Sequence, residues 1–223
     1  MSQRIQWQWI PAVLIYAASA LEVVIMVTPF AAFFYSVYTP VIEGLTAFTI
    51  TAWMPQFFLP HLAQSTNQLF HIINYVGPPL AAIGLLGFFA CAFQLYYGKF
   101  VQKRLVNSGL YGRVRHPQYL CLAVSGLGFL LMWPRFFILF TYLMMLGLYY
   151  LLARHEEEVV RAKYGKDSER YMARIPMFNP FRGPLKSRGW KPPSPIKAFV
   201  VWALVSFTAV CFSFLLRYEA ASQ

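Results

Sequence analysis

The sequence predicts an all-α fold: a multi-span membrane helical bundle of about five transmembrane helices, with a cytoplasmic C-terminal cap over a helix hairpin. Composition is the first observation behind this. Of 223 residues, 58% are hydrophobic and 12% charged, with a mean hydropathy of +0.49. Soluble domains carry about 45–50% apolar and about 25% charged residues. At half the usual charge the chain cannot cover a globular surface, which excludes a soluble enzyme and a disordered chain. The second observation is spacing: the apolar residues gather into stretches of spanning length, roughly 17–25 residues. The third is that the charges are confined to the gaps between those stretches.

Taken in order, the predicted spans are 10–38, 72–97, 118–133, 136–153 and 197–216. The first follows Arg4 and is too long for a signal-peptide core, so it is read as a retained span. A sixth stretch, 41–60, contains Glu43 and Trp53 and is broken by Pro55 and Pro60. Proline withholds a backbone donor and clashes with the preceding turn, so this stretch is expected to be re-entrant or interfacial. The third and fourth spans form a hairpin around Trp133-Pro134-Arg135. From Arg154 to Tyr171 the chain turns rich in Glu, Arg and Lys and should continue the fourth span as a helix, ended or bent at Gly165. Prolines 176, 180, 184, 192, 193 and 195 then mark a non-helical connection. The organisation expected is N-terminal spans over 1–97, a core over 98–196 and a final span over 197–223.

The net charge of +11 has a pattern. Lys99, Lys103, Arg104, Arg113 and Arg115 fill one loop, and eleven basic residues lie from Arg154 to Lys197; only Arg4, Arg135 and Arg217 fall elsewhere. Basic clusters beside spans mark the cytoplasmic side, and the hairpin returns both clusters to that side. The expected location is a bacterial inner membrane or the endoplasmic reticulum, with the functional face in the cytoplasm. No nucleic-acid motif accompanies the charge, so anionic lipid headgroups are the expected partners. Cys91, Cys121 and Cys211 read as small buried hydrophobes. His61 and His71 lack partners at metal-ligand spacing, and no metal is expected.

Two constellations carry chemistry. Arg115-His116-Pro117-Gln118-Tyr119 opens the third span. Proline favours the first helical position, placing His116 at the cap. The next backbone N–H groups lack intrahelical partners and make an anion site, flanked by Arg113 and Arg115. The same run also reads as a juxtamembrane basic anchor. The second constellation is Arg154-His155-Glu156-Glu157-Glu158. Either one or two glutamates face inward and hold a cation, or Arg154 and Arg161, three or four residues away, make an ordinary solvated face. Glu22, inside the first span, is a third candidate with no role read from sequence.

In combination, these motifs resemble a known group. The run Gly109-Leu110-Tyr111-Gly112-Arg113-Val114-Arg115-His116-Pro117-Gln118-Tyr119, a short hydrophobic hairpin, then Glu156-Glu157, Lys163-Tyr164-Gly165, Tyr171 and Pro176 is similar to the isoprenylcysteine carboxyl methyltransferase and phospholipid methyltransferase superfamily. The resemblance covers about a third of the chain, near 108–180. Leu110 replaces the group's proline, Cys121 its glycine and Ser168 its first tyrosine. The resemblance implies S-adenosylmethionine as cofactor. Its carboxylate is expected at the N–H groups that follow Pro117, from Gln118 on, with His116 and Arg115, its ammonium at Glu156 or Glu157, and its adenosine or sulfonium beside Tyr111 or Tyr119. The acceptor is expected to be a lipid or a lipidated molecule. The first choice is the carboxylate of a prenylated cysteine, oriented by Arg154. The second is a phosphatidylethanolamine amine, with Glu157 as base. An NADPH-dependent sterol-reductase-like enzyme and a non-enzymatic membrane scaffold are the readings from other classes.

Overall fold

The structure is a computed structural model that describes residues 10–59, 68–102, 106–181 and 194–221. Arg4, Pro60, His61, Lys103, Arg104 and residues 182–193 lie outside the described residues, as does the side chain of His71. Among the described residues seven α-helices follow in order: α1 (Ile10–Tyr35), α2 (Thr39–Thr46), α3 (Gln68–Tyr97), α4 (Pro117–Met132), α5 (Phe136–Tyr164), α6 (Lys166–Arg174) and α7 (Pro195–Ala221). Stretches of α1, α3, α5 and α7 are long and apolar enough to cross a membrane. The predicted third span is the exception: α4 has 16 residues. At 1.5 Å per residue it measures about 24 Å, against a hydrocarbon core of about 30 Å. Pro117 starts it and Trp133-Pro134 stops it.

The closest helix pair is α3 with α4, and small residues make it so. A Cβ on Gly84 would strike the backbone of Ser125, and one on Gly128 would strike the backbone of Ala81. The Ser125 hydroxyl crosses the seam to donate to the Ala81 carbonyl, 3.1 Å away. In lipid there is little hydrophobic gain from joining two apolar helices, so close backbone approach and such bonds supply the association. On the other side α1 packs against α5 through the Ser36 and Thr141 hydroxyls, 2.9 Å apart, and the Phe33–Tyr142 ring pair.

The stretch 41–60 does not form a long helix. Eight residues make α2, and turns follow to Leu59. Those turns strap the tip of the α4–α5 hairpin: Phe58 N–H donates to Pro134 O, Phe136 N–H to Gln56 O and Phe137 N–H to Met54 O. Two N–H groups that the start of α5 would otherwise leave unpaired are thereby satisfied. At the same end, α7 stacks Phe214 on Phe136 with ring centres 4.5 Å apart. Nearer the other end Trp202 Nε1 donates to Leu143 O, so α7 runs antiparallel to α5. Cys91 is buried and Cys121 half-buried, but Cys211 is exposed on α7, a correction to the reading of all three as buried. The cause is that α7 meets the bundle along one side only.

Candidate active site

The site lies where the end of α3, the start of α4 and the end of α5 come together. α5 stops at Gly165, whose φ of +52° suits glycine, and the chain turns into α6. From there α6 and residues 175–178 fold back over the start of α4. Arg115 N–H donates to Pro176 O and His116 N–H to Met177 O, while the Tyr171 hydroxyl donates to Tyr111 O at 2.7 Å.

His116 occupies the N-cap of α4 with Pro117 at the first helical position. Its ring sits between the two glutamates: Nε2 is 3.2 Å from Glu157 Oε1 and Nδ1 is 3.3 Å from Glu156 Oε2. Arg115 Nε lies 3.1 Å from the same Glu157 oxygen. The Tyr119 hydroxyl donates to Glu156, and its ring stacks between His116 and Tyr149. Adjacent helical residues point about 100° apart, so one imidazole joins both carboxylates only by lying between them. The glutamate run therefore divides. Glu157 is buried, Glu156 is 40% exposed by side chain, and Glu158 faces outward. Arg161 pairs with Glu169 on α6, at 3.0 Å.

Burial would lower the His116 pKa, but hydrogen bonds and charge from Glu156 and Glu157 outweigh it and hold it above the usual 6.5. Burial pulls Arg115 down, with Glu157 opposing. Tyr111 and Tyr171 are pushed up mainly by burial. The cluster thus sets an arginine and a histidine biased toward its charged form against two glutamates. Removing one member of a buried, paired set leaves its partner uncompensated, which costs about 3–5 kcal/mol.

A cavity of about 100 Å³ opens on this cluster, lined by Leu95, Val106, Tyr111, Arg115, His116, Gln118, Glu156, Glu157, Val160, Tyr171 and Met172. Six of the sequence-predicted residues line it: Tyr111, Arg115, His116, Gln118, Glu156 and Glu157. Gln118 is buried and its Oε1 has no hydrogen-bond partner, leaving an acceptor to be satisfied. Pro117 and Tyr119 are buried but outside the lining. Arg154, predicted to orient the acceptor, is half-buried and also outside the lining. It precedes Glu157 by three positions, about one turn earlier along α5. Sequence reading missed Leu95, Val106, Val160 and Met172. Val160 alone had a local signal, since it follows Glu156 by one helical turn. Among the described residues no group of three or more histidines, cysteines or carboxylates is placed to hold a metal.

Fold and site together define an integral membrane helical protein with a buried charge cluster at one end of its bundle. Residues 80–167 match the phospholipid methyltransferase family model, and the resemblance to this group of membrane methyltransferases is borne out over that stretch. The matched stretch runs from within α3 through α4 and α5 into α6, so it contains His116, Glu156 and Glu157 but stops before Tyr171. No curated protein matches the chain, and no solved structure does.

Proposed function

We propose that the protein is an S-adenosylmethionine-dependent methyltransferase acting on the amine of a lipid headgroup at the cytoplasmic face of its membrane. One observation carries the reading: Arg115 and His116 of one motif meet Glu156 and Glu157 of the other at the edge of one cavity. S-adenosylmethionine, when bound, supplies a methyl group on a positively charged sulfur; the acceptor's lone pair forms the new bond to carbon and the carbon–sulfur pair stays on sulfur. The residues present fit this cofactor. The unpaired Gln118 Oε1 and the half-exposed Glu156 suit its ammonium, by charge-assisted hydrogen bonds. His116, Arg115 and the start of α4 suit its carboxylate. Tyr111, Leu95 and Val106 supply an aromatic and apolar wall for the adenosine. A cavity of about 100 Å³ falls below the roughly 300–1,000 Å³ of small-molecule sites. Cofactor entry therefore requires the cavity to widen.

The choice of an amine follows from the count of cations at the cavity. A carboxylate acceptor such as a prenylated cysteine depended on Arg154, which is outside the lining. Arg115 and His116 are the cations among the lining residues, and both already face glutamates. None is left for a second carboxylate beside the cofactor's own. An amine acceptor needs a carboxylate to take its proton, and this reading gives that role to Glu157. The cytoplasmic assignment rests on the basic residues Arg113, Arg115, Arg161, Lys163 and Lys166 gathering at this end.

The test is radiolabelled methyl transfer by the full chain in mixed micelles, offered phosphatidylethanolamine or a prenylated cysteine. The expected result is label on phosphatidylethanolamine, a rate that rises with pH as the headgroup deprotonates, and an Arg154→Lys variant close to wild type. Label on the prenylated cysteine, with the rate lost in Arg154→Lys, overturns the amine reading in favour of carboxyl methylation.

A further inference from the structure

Glu22, the carboxylate within α1, lies outside the cavity but has a definite setting. Its Oε2 is 2.5 Å from Lys99 Nζ, just past the end of α3. The same ammonium stands 5.9 Å from the centre of the Tyr96 ring and 6.0 Å from that of Phe100. Tyr96 and Phe100 lie stacked, ring centres 6.1 Å apart, and Tyr16 of α1 meets Phe100 at 5.4 Å. A carboxylate set beside aromatic faces is the arrangement that holds ammonium and quaternary ammonium groups. Here the ammonium held is the protein's own.

Two further features make this more than a bond between helices. Lys99 and Phe100 are placed by a π-helical turn, Gly98–Gln102, rather than by regular continuation of α3; such turns are frequent at functional sites. The pair also sits on the rim of the bundle, with side chains 30% exposed for Lys99 and 57% for Glu22, beside the exposed Tyr97 and Val101. Both side chains reach the open side of the bundle, where a second ammonium has access to the carboxylate. Leu95, the residue before Tyr96 in α3, lines the cavity, so the box borders its edge.

We propose that Glu22, Tyr96 and Phe100 form a docking subsite for the ammonium of a zwitterionic phospholipid headgroup, which Lys99 fills until the lipid arrives. When the headgroup ammonium takes the place of Lys99, the lysine is released to the headgroup phosphate. One paired set of charges is exchanged for another, and no charge is left alone in the exchange. The subsite rests on the amine reading above and gives that reading a route from bilayer to cavity.

The experiment titrates phosphatidylethanolamine in mixed micelles against the full chain with radiolabelled S-adenosylmethionine, and measures S-adenosylhomocysteine affinity in parallel. Glu22→Gln is expected to raise the KM for the lipid about tenfold, the scale of one lost charged hydrogen bond. Its S-adenosylhomocysteine affinity is expected to match wild type, which also shows that the variant is folded. The double variant Glu22→Lys/Lys99→Glu separates docking from a simple staple. It restores an ion pair but turns a carboxylate toward the aromatic rings, so KM is expected to stay raised. A wild-type KM in Glu22→Gln, or recovery in the double variant, overturns the subsite while the amine reading stands. A wild-type protein that binds S-adenosylhomocysteine but methylates no phosphatidylethanolamine overturns both.

Discussion

The two ends of the α4–α5 hairpin are built from the same two helices but held by different physics. At the tip, backbone hydrogen bonds from residues 54–58 clasp Pro134, Phe136 and Phe137, and aromatic rings fill the rest: Trp53, Phe58 and Phe214 all pack on Phe136. Arg135 and Arg217 there lie over the rings of Phe57 and Phe136. At the other end a charged set, Arg115, His116, Glu156 and Glu157, holds α4 to α5, with the 175–178 segment laid across the start of α4. The tip needs neither a particular protonation state nor a ligand. The charged end has an unpaired buried acceptor in the wall of a cavity and a titratable histidine beside it, features of a site rather than of a scaffold. Damage to the tip should therefore read out as stability alone, and damage at the charged end as stability, pH response and binding together.

The largest effect is expected from Glu157→Gln. It leaves Arg115 buried beside a neutral partner and weakens one side of the His116 bridge. A loss of about 3–5 kcal/mol is expected for a broken buried pair, seen as a lower unfolding midpoint in detergent with S-adenosylhomocysteine binding abolished. His116→Ala comes next, with a loss of about 1.5–3 kcal/mol in binding, or roughly tenfold and more by calorimetry. At the tip, Phe214→Ala removes a stacked pair with Phe136, a term of about 0.5–1.5 kcal/mol beyond its packing. The expected outcome is a lower midpoint with S-adenosylhomocysteine affinity unchanged. A binding loss in this variant would erase the contrast between the two ends.

The smallest effect is a pH response. Because the folded His116 pKa lies above 6.5, its bridge adds stability that is complete below 6.5 and is lost as pH rises through the folded value. Wild type should therefore lose midpoint relative to His116→Gln as pH rises past neutrality, in scans at matched salt. A constant difference across that range would show that His116 is not held charged.

Much of the charged end was legible in sequence because its signals are local. His116-Pro117 marks a helix start, Gly165 a helix stop, and Trp133-Pro134-Arg135 a turn, and each sits where its chemistry requires. The short hairpin then has to return Glu156 and Glu157 to the level of His116. The tip was not legible. Its strap joins residues 54–58 to 134–137 through backbone hydrogen bonds, which any sequence can form and none advertises. The α3–α4 seam lies between these cases. Gly77, Ala81 and Gly84 face Ser125 and Gly128 at small-residue spacing, a pattern present in the chain but set against many other glycines. Arg154 misled because nearness in sequence is not nearness to the cavity: it stands about one turn before Glu157 along α5, below the level at which Glu156, Glu157 and Val160 reach the lining.

The central claim is that the His116–Glu156–Glu157 cluster is a cofactor site rather than a structural clamp. Glu156 tests it best, because its half-exposed carboxylate can be neutralised without stranding the buried Arg115. Calorimetric titration of S-adenosylhomocysteine into purified wild type and Glu156→Gln, at one pH and salt, is the direct measurement. The account predicts saturable binding to wild type and at least about tenfold weaker binding to Glu156→Gln, with a smaller drop in unfolding midpoint than Glu157→Gln shows. Equal affinity in the two proteins, or no binding to wild type, would contradict it.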